Sequence, residues 1–591
     1  MKDNKIKRIP YGLANYERLV QQNCYYVDKT MFLPALEETG HYLFLIRPRR
    51  FGKSLLLSVM EAYYDVHYRD RFEEFFKRTW IYDHPTSEKN KYLVLKFNFS
   101  LVDPGIEKSE ESFLLDFKET SAAFLSRYKK YLEVDVILAL KEINEMHSAP
   151  DILRRLINIC NMSNREVYIL IDEYDNFANT ILTTSGTGAY KKLTHGAGSF
   201  RAFFNVLKGG TTGTEASVTR SFITGVSPIT MDDVISGYNI GKNVSLEPGF
   251  NRVLGFTTDD IEEMIEYYRS VGKISHPTGY LLEIMTQWYG NYRFSDENDV
   301  SLFNPDMVLY FLDNYFSSEK IPYDLIDRNV MVDYGKLRHL IVVDKGGEKV
   351  SNGNFDRLRE IIREGETTSE LVKGFPLEKI ASREDFISLL FYFGLLTIKN
   401  SETACFTLTI PNETIRRLFY DYIKGAYEET QVFSLDLDTY NRLMKGMALE
   451  GQWKPLLDYI AGRMRESMGL RDLMTGEKSI QAFLNVYLGL TNLYIIHPER
   501  EMNKGFADIV MEPFLARYEG IRYSYILEIK YLKSGVKPGD KKVPQLKTEA
   551  EQQLKGYSID EKFKKTIEKT TLIKIVLIFS GHELIDMSEV K

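Results

Sequence analysis

The sequence predicts an α/β chain of several domains: a parallel sheet with a phosphate-binding loop toward the N-terminus, a helical connector, and a second α/β domain toward the C-terminus. Three observations predict it. Residues 41–46 are a mostly apolar run that enters Arg47-Pro-Arg-Arg-Phe-Gly-Lys-Ser54 and then the helically spaced 55–60, which reads as strand, tight loop, helix. Residues 167–171 are a β-rich apolar run ending in Asp172-Glu173. Residues 505–512 and 523–530 read as two adjacent strands, and they carry Asp508, Glu528 and Lys530.

The first stretch has the setting that a bound phosphate requires. Backbone N–H groups and the helix N-terminus would face the phosphates, Lys53 would reach the β/γ oxygens, and the Ser54 hydroxyl would ligate Mg²⁺. Arg50, Phe51, Gly52, Lys53, Ser54 and Leu55 are therefore the candidate nucleotide contacts. The usual pattern places Gly five residues before the second Gly, and Arg47 stands there instead. Alone, the loop also fits a basic turn capping a core helix. The acidic pair decides between the two, although a lone pair of this kind is often only a solvated turn. Beside a phosphate loop, Asp172 would hold the Mg²⁺ shell and Glu173 would orient the attacking water. The motifs lie about 120 residues apart, as a nucleotide-binding sheet would space them, and together they predict ATP or GTP binding.

Composition sets wider bounds. A chain of 591 residues, 44% hydrophobic, has apolar surface for two to four domains. A net charge of -7 argues against wholesale coating of nucleic acid but leaves room for charge segregated by domain. Cys24, Cys160 and Cys405 are far apart and form no CxxC pair, so a reducing cytoplasm is expected rather than a disulfide framework or zinc site. No run of about 18 apolar residues predicts a membrane span, and the N-terminus leads into no apolar core.

In chain order, residues 11–40 form a lead-in expected near the nucleotide base. Residues 91–99 alternate as a second strand, and 109–160 read as helices. Glycine- and threonine-rich loops at 183–188 and 209–213 flank a helix at 200–208. Residues 220–226 are the next strand, whose exit residue Thr224 stands where a γ-phosphate could be sensed. An ordinary Thr-Gly turn fits that residue equally well.

The strings Tyr26-Val-Asp-Lys-Thr30, Arg47-Pro-Arg-Arg-Phe-Gly-Lys-Ser-Leu55, Ile171-Asp-Glu-Tyr-Asp175, Phe222-Ile-Thr-Gly-Val226, Ile235-Ser-Gly-Tyr-Asn239 and Gly255-Phe-Thr257 resemble the bacterial predicted AAA-ATPase-like family. The resemblance spans most of residues 5–310. It continues through Trp288-Tyr-Gly-Asn-Tyr-Arg-Phe294 and Phe303-Asn-Pro305, and it makes Arg47 a family trait. Arg293 follows in a lid-like helical region where an Arg could reach a phosphate; a structural role is the stronger reading. Between about 310 and 450, amphipathic helices alternate with short β-like runs such as 340–344 and 395–399. Residues 392–398 followed by 405–410 resemble a hairpin, as in a winged-helix-like connector that joins two domains or presents a helix to DNA.

Strand alternation puts Glu528 and Lys530 on one face, and a hairpin can bring Asp508 beside them. Two carboxylates and a lysine suit a divalent-metal nuclease: Asp508 and Glu528 would hold Mg²⁺, and Lys530 would orient water and stabilise charge at phosphorus. A Glu/Lys ladder on an exposed strand is the plain alternative. With an apolar helix from Glu477 upstream and another over 550–557, with Gln553 near its start, downstream, residues 465–580 resemble the PD-(D/E)xK nuclease superfamily, a restriction-endonuclease-like fold. That resemblance implies Glu477 as a helix carboxylate and Gln553 as a helical glutamine of the site. Together with Lys530, the residues Lys533, Lys537, Lys541, Lys542, Lys547 and Lys555 form either a basic rim suited to a phosphate backbone or, equally, a solvated lysine-rich loop.

The expected division is 1–245 for the ATPase-like domain, 246–450 for the lid and connector, and 451–591 for the nuclease-like domain. The expected function is ATP-controlled, Mg²⁺-dependent cleavage of nucleic acid, DNA in the first instance, with a homo-oligomer left open. The alternative is an ATP switch whose nuclease-like domain only binds DNA or protein.

Overall fold

Residues 6–101, 109–176, 198–212, 216–229, 240–327, 329–330, 353–376, 379–380, 382–402, 405–429, 436–466, 476–502, 505–557, 563–564 and 567–590 are described in a computed structural model of the chain. The expected features at 183–188, 235–239, 340–344 and Gly213 lie outside these residues. One compact unit takes residues 1–320, 327–343 and 368–411, and a second takes 321–326, 344–367 and 412–591.

The expected strands of the first unit become β1 (Tyr42–Ile46), β2 (Leu93–Asn98), β3 (Val167–Asp172) and β4 (Val218–Gly225), and a short polar strand that the sequence does not suggest, β5 (Lys242–Asn243), joins them. They form one sheet in the order β2-β3-β4-β1-β5, parallel at every pairing. β1, β3 and β4 are buried along nearly their whole length, as strands covered on both faces must be. Ile46 pairs with Gly225 and Ile171 with Ile223, so the C-terminal ends of these three strands lie side by side. This register brings the phosphate loop, Asp172 and Thr224 to one edge of the sheet.

After a short strand β6 (Glu366–Ser369), the helix Arg383–Tyr392 leads into β7 (Thr397–Glu402) and β8 (Cys405–Thr409). β7 and β8 pair antiparallel, which gives the expected hairpin. The first strand starts later than the apolar run suggests, because Tyr392 ends the helix and Gly394, at φ 75°, turns the chain. A Cβ on Gly394 would stand 2.7 Å from Pro48, so this turn packs directly on the phosphate loop.

In the second unit, β9 (Tyr494–Met502), β10 (Gly505–Pro513), β11 (Tyr523–Leu532), β12 (Thr571–Ser580) and β13 (Glu583–Val590) form a sheet in the order β13-β12-β11-β10-β9. The pairings are antiparallel except β11 with β12, which the helix Lys542–Tyr557 connects as a crossover. That helix buries Val543, Ala550, Leu554 and Tyr557 against Ala507, Val510, Ile526 and Val576. It begins well before residue 550, so Gln553 lies in its closing turns and not near its start. Its first half is lysine-rich and reads as a polar loop, and only the spaced apolar positions reveal the helix.

Candidate functional sites

Gly52, at φ 96°, caps the helix Lys53–Tyr64, and Arg50, at φ 65°, gives the loop before it a second left-handed residue. Lys53 is buried, and its Nζ donates to the carbonyls of Arg47 (3.0 Å) and Pro48 (2.9 Å). The ammonium therefore sits within the curve of its own loop. Burial lowers its pKa, while the charges of Glu173, Asp172 and Asp175 work against that shift.

Arg47 explains the missing glycine. Its side chain, 1% exposed, turns away from the loop and donates to Ile46 O (3.0 Å), Ser245 O (2.6 Å) and Phe250 O (2.9 Å), with its guanidinium 4.3 Å from the centre of the Phe294 ring. Burial pulls its pKa down to about 9. Arg47 thus fastens the phosphate loop to the 245–250 segment.

A cavity of about 520 Å³ opens over the loop, within the range of small-molecule sites. Arg50, Phe51, Gly52, Lys53, Ser54 and Leu55 line it together with Glu173, and Leu13, Tyr25, Tyr26 and Leu254 supply apolar and aromatic wall. The Phe51 ring is buried edge-on against Tyr292 and Phe294. Arg50 Nη1 is ion-paired with Asp306 (2.5 Å) and Asp327 (3.3 Å), and Tyr11 donates to the same Asp327 oxygen at 2.7 Å.

At the end of β3, Asp172 accepts a hydrogen bond from the Thr224 hydroxyl at 2.9 Å. Glu173, at φ 51°, turns the chain and reaches the cavity wall; burial raises its pKa, with Lys53 opposing. Asp175, to which the sequence assigns no role, is buried and accepts from the N–H groups of Val226 (3.1 Å) and Ser227 (2.6 Å). A Cβ on Gly225 would stand 2.3 Å from the Tyr174 ring, so only glycine fits where this turn crosses β4. Arg293 donates to the carbonyls of Asn298, Lys399 and Asp296 and to the Asp299 carboxylate, a structural clasp outside the cavity lining.

In the second unit, Ile509 pairs with Leu527, and the same register sets Asp508 opposite Glu528. Asp508 Oδ2 accepts the Ile529 N–H at 2.6 Å, and its carbonyl accepts from Gln481 Nε2 at 2.8 Å on the helix Glu477–Gly489. Lys530 Nζ donates to Glu528 Oε1 at 2.8 Å. Glu528 is 2% exposed, and its Oε2 is buried with no hydrogen-bond partner. Burial raises the pKa of Asp508, and the facing Glu528 raises it further; Glu528 is raised by burial, with Lys530 opposing. Glu477 is near enough for its charge to push both carboxyls further up.

Gln553 is exposed. One turn on, Tyr557 donates to Phe506 O at 2.7 Å, and its pKa is raised to about 12 by burial and by the charges of Glu528 and Asp508. Tyr557 is not among the residues that the sequence motifs point to; its i+4 spacing from Gln553 is the sequence signal that places both on one helix face. Lys533, Lys537, Lys541, Lys542 and Lys555 are exposed, while Lys547 pairs with Asp586 at 3.6 Å.

Among the described residues no group of three or more His, Cys, Asp or Glu could hold a metal ion. Asp508 and Glu528 nevertheless fit one. Among the described residues the two raised carboxyls share only the Lys530 ammonium, which sits on Glu528 Oε1 and leaves Oε2 unmatched, and Mg²⁺ characteristically takes one or two carboxylates plus water and phosphate oxygens. Also among the described residues, no helix is long and apolar enough to cross a membrane.

Residues 10–235 match the family described as a predicted AAA-ATPase, and residues 475–589 match the PD-(D/E)XK nuclease superfamily. An uncharacterized protein in the vnfD 5' region of Azotobacter chroococcum mcd 1 is 23% identical over 311 residues, 52% of this chain and 52% of that protein. The chain thus spans about half the length of this curated relative. Among solved structures, the ORC2 protein of Aeropyrum pernix in its ADPNP-ADP complexes is 12% identical with a TM-score of 0.32, covering 72% of this chain and 98% of that one. Cdc6p of Pyrobaculum aerophilum is 13% identical with a TM-score of 0.26, covering 72% and 97%.

Proposed function

We propose, for a chain that joins a predicted AAA-ATPase region to a PD-(D/E)XK nuclease-superfamily region, that ATP binding in the first unit controls Mg²⁺-dependent cleavage of nucleic acid, DNA in the first instance, by the second. The observation that carries the nuclease half is the pairing of half-buried Asp508 with buried Glu528, with one Glu528 oxygen unmatched and Lys530 two residues on. Asp508 and Glu528 would hold the metal, which when bound polarises a phosphodiester and lowers the pKa of water. Lys530 holds a proton beside the carboxylates and offers its charge to the developing oxyanion. In the ATPase half, Lys53 would leave the carbonyls of Arg47 and Pro48 for phosphate oxygens. Ser54 and Asp172 would hold Mg²⁺, Thr224 would fix the Asp172 carboxylate, and Glu173 would accept a proton from water.

The test is cleavage of plasmid and single-stranded DNA by the full chain with Mg²⁺, Mn²⁺ or chelator. Metal-dependent cutting that disappears in Asp508→Asn and Glu528→Gln is the expected result. Intact DNA from a protein that binds ATP, under every nucleotide and metal condition, would leave the second unit as a binding module only.

A further inference from the structure

We infer that Phe506 is a stacking platform for an unpaired nucleobase, so that the nuclease site takes single-stranded rather than duplex nucleic acid. The inference rests on the nuclease reading and names its substrate class. Phe506 is 58% exposed, and among the described residues no other phenylalanine is as open. Solitary exposed apolar residues are ordinary, so position has to carry the argument. Phe506 precedes Asp508 by two residues on β10, roughly 7 Å along the strand, which is near enough for a base beside the scissile phosphate to lie on the ring.

Its backbone is fixed. Phe506 pairs with Glu501 in the β9–β10 ladder, and its carbonyl holds the Tyr557 hydroxyl at 2.7 Å. A ring presented from a rigid strand loses little conformational freedom when a base covers it. Exposed Lys555 on the Tyr557 helix and Lys533 and Lys537 after β11 supply the positive charge that a phosphate backbone needs. An aromatic side chain beside a basic track is the usual way to bind a single strand. In a duplex each base is already covered by its neighbours, and the ring has no face to take.

The test uses the full chain, with Ca²⁺ in place of Mg²⁺ for binding and with Mg²⁺ or Mn²⁺ for cleavage. The probes are a fluorescent single-stranded oligonucleotide, its duplex, and the same strand with abasic positions around the cleavage point. Tighter binding of the single strand is expected. Phe506→Ala and Phe506→Leu should each weaken it about tenfold without changing duplex binding, and Phe506→Trp should restore it. Unchanged melting shows that the variants fold, and the abasic strand should bind wild type and Phe506→Ala alike. Equal single-strand affinity in wild type and Phe506→Ala, a parallel loss on duplex, or no binding of either probe would overturn the inference. A wild type that binds single strands through Phe506 but cuts nothing refutes the nuclease reading and keeps the stacking site. Cutting of both forms alike, whatever occupies position 506, does the reverse.

Discussion

Lys53 already sits inside the phosphate loop, bonded to two carbonyls that compensate its burial. Lys53→Ala is therefore expected to abolish ATP binding in calorimetry, whereas Glu173→Gln should keep binding and slow hydrolysis by about a hundredfold or more. The pKa of Glu173 is raised by burial, so its basic form is lost as pH falls through that raised value. Hydrolysis should decline on mild acidification, and an ATPase rate flat from pH 8 down to the ordinary carboxylate range would remove Glu173 as the base. Asp508 and Glu528 give a second pH signature. Both carboxyls have folded pKa values above their unfolded ones. Their contribution to stability is full below the unfolded values, near pH 4, and is lost as pH rises through the folded ones. Metal-free protein should melt lower at alkaline pH; Asp508→Asn should flatten that slope and remove the stabilisation that Mg²⁺ or Mn²⁺ provides. Thermal melts across pH, with and without metal, check both. The adjacency of Asp508, Glu528 and Lys530 was legible because strand alternation is local. The part played by Arg47 was not, since its partners at Ser245, Phe250 and Phe294 are distant in sequence.

At the scale of elements, four of the five strands of the parallel sheet follow from apolar runs that period and length make plain, whereas the two-residue polar β5 and the lysine-rich first half of the helix Lys542–Tyr557 carry no such signal. β9, β12 and β13 were not anticipated. Thr571–Ser580 is a β-rich apolar run of the kind that marks a buried strand, but it carries none of the charged residues of the site. The second unit also depends on helices before residue 451. In the helix Leu437–Glu450, Tyr440, Met444 and Met447 are buried, Tyr440 donates to Tyr487 O at 2.6 Å, and the Met447 carbonyl accepts from Tyr525 at 2.6 Å. The helix Glu413–Glu429 adds buried Leu418 and Phe419. A fragment starting at 451 loses these partners, with the two hydrogen bonds to Tyr487 O and from Tyr525, and exposes the apolar surface that the helices cover, each lost bond costing about 1 kcal/mol. It should melt at lower temperature, or less cooperatively, than a fragment starting at 412. Equal melting curves for the two by circular dichroism would make the preceding helices dispensable.

At the scale of the whole molecule, the two units are not successive stretches of chain: 321–326 and 344–367 belong to the second, and 327–343 and 368–411 to the first. Stretches of the two units therefore alternate along the sequence between residues 321 and 411. In the first unit, Arg50 of the phosphate loop is ion-paired with Asp306 and Asp327, and Tyr11 holds Asp327, so phosphate drawn into the loop competes for a cation that already has partners. Asp327 directly follows the 321–326 stretch of the second unit. A ligand moves an equilibrium only by its differential affinity for the two states, and roughly 1.4 kcal/mol is enough for a tenfold change in activity. Cleavage by the full chain should therefore differ by about tenfold or more between no nucleotide, ATP, ADP and a non-hydrolysable analogue. Lys53→Ala should hold it at the nucleotide-free rate throughout. Arg50→Ala, which removes the ion pairs to Asp306 and Asp327 without any ligand, should shift the nucleotide-free rate toward the ATP-bound one. Rates that stay indistinguishable across all nucleotides in a protein that still cuts would mean the two units share a chain without sharing control.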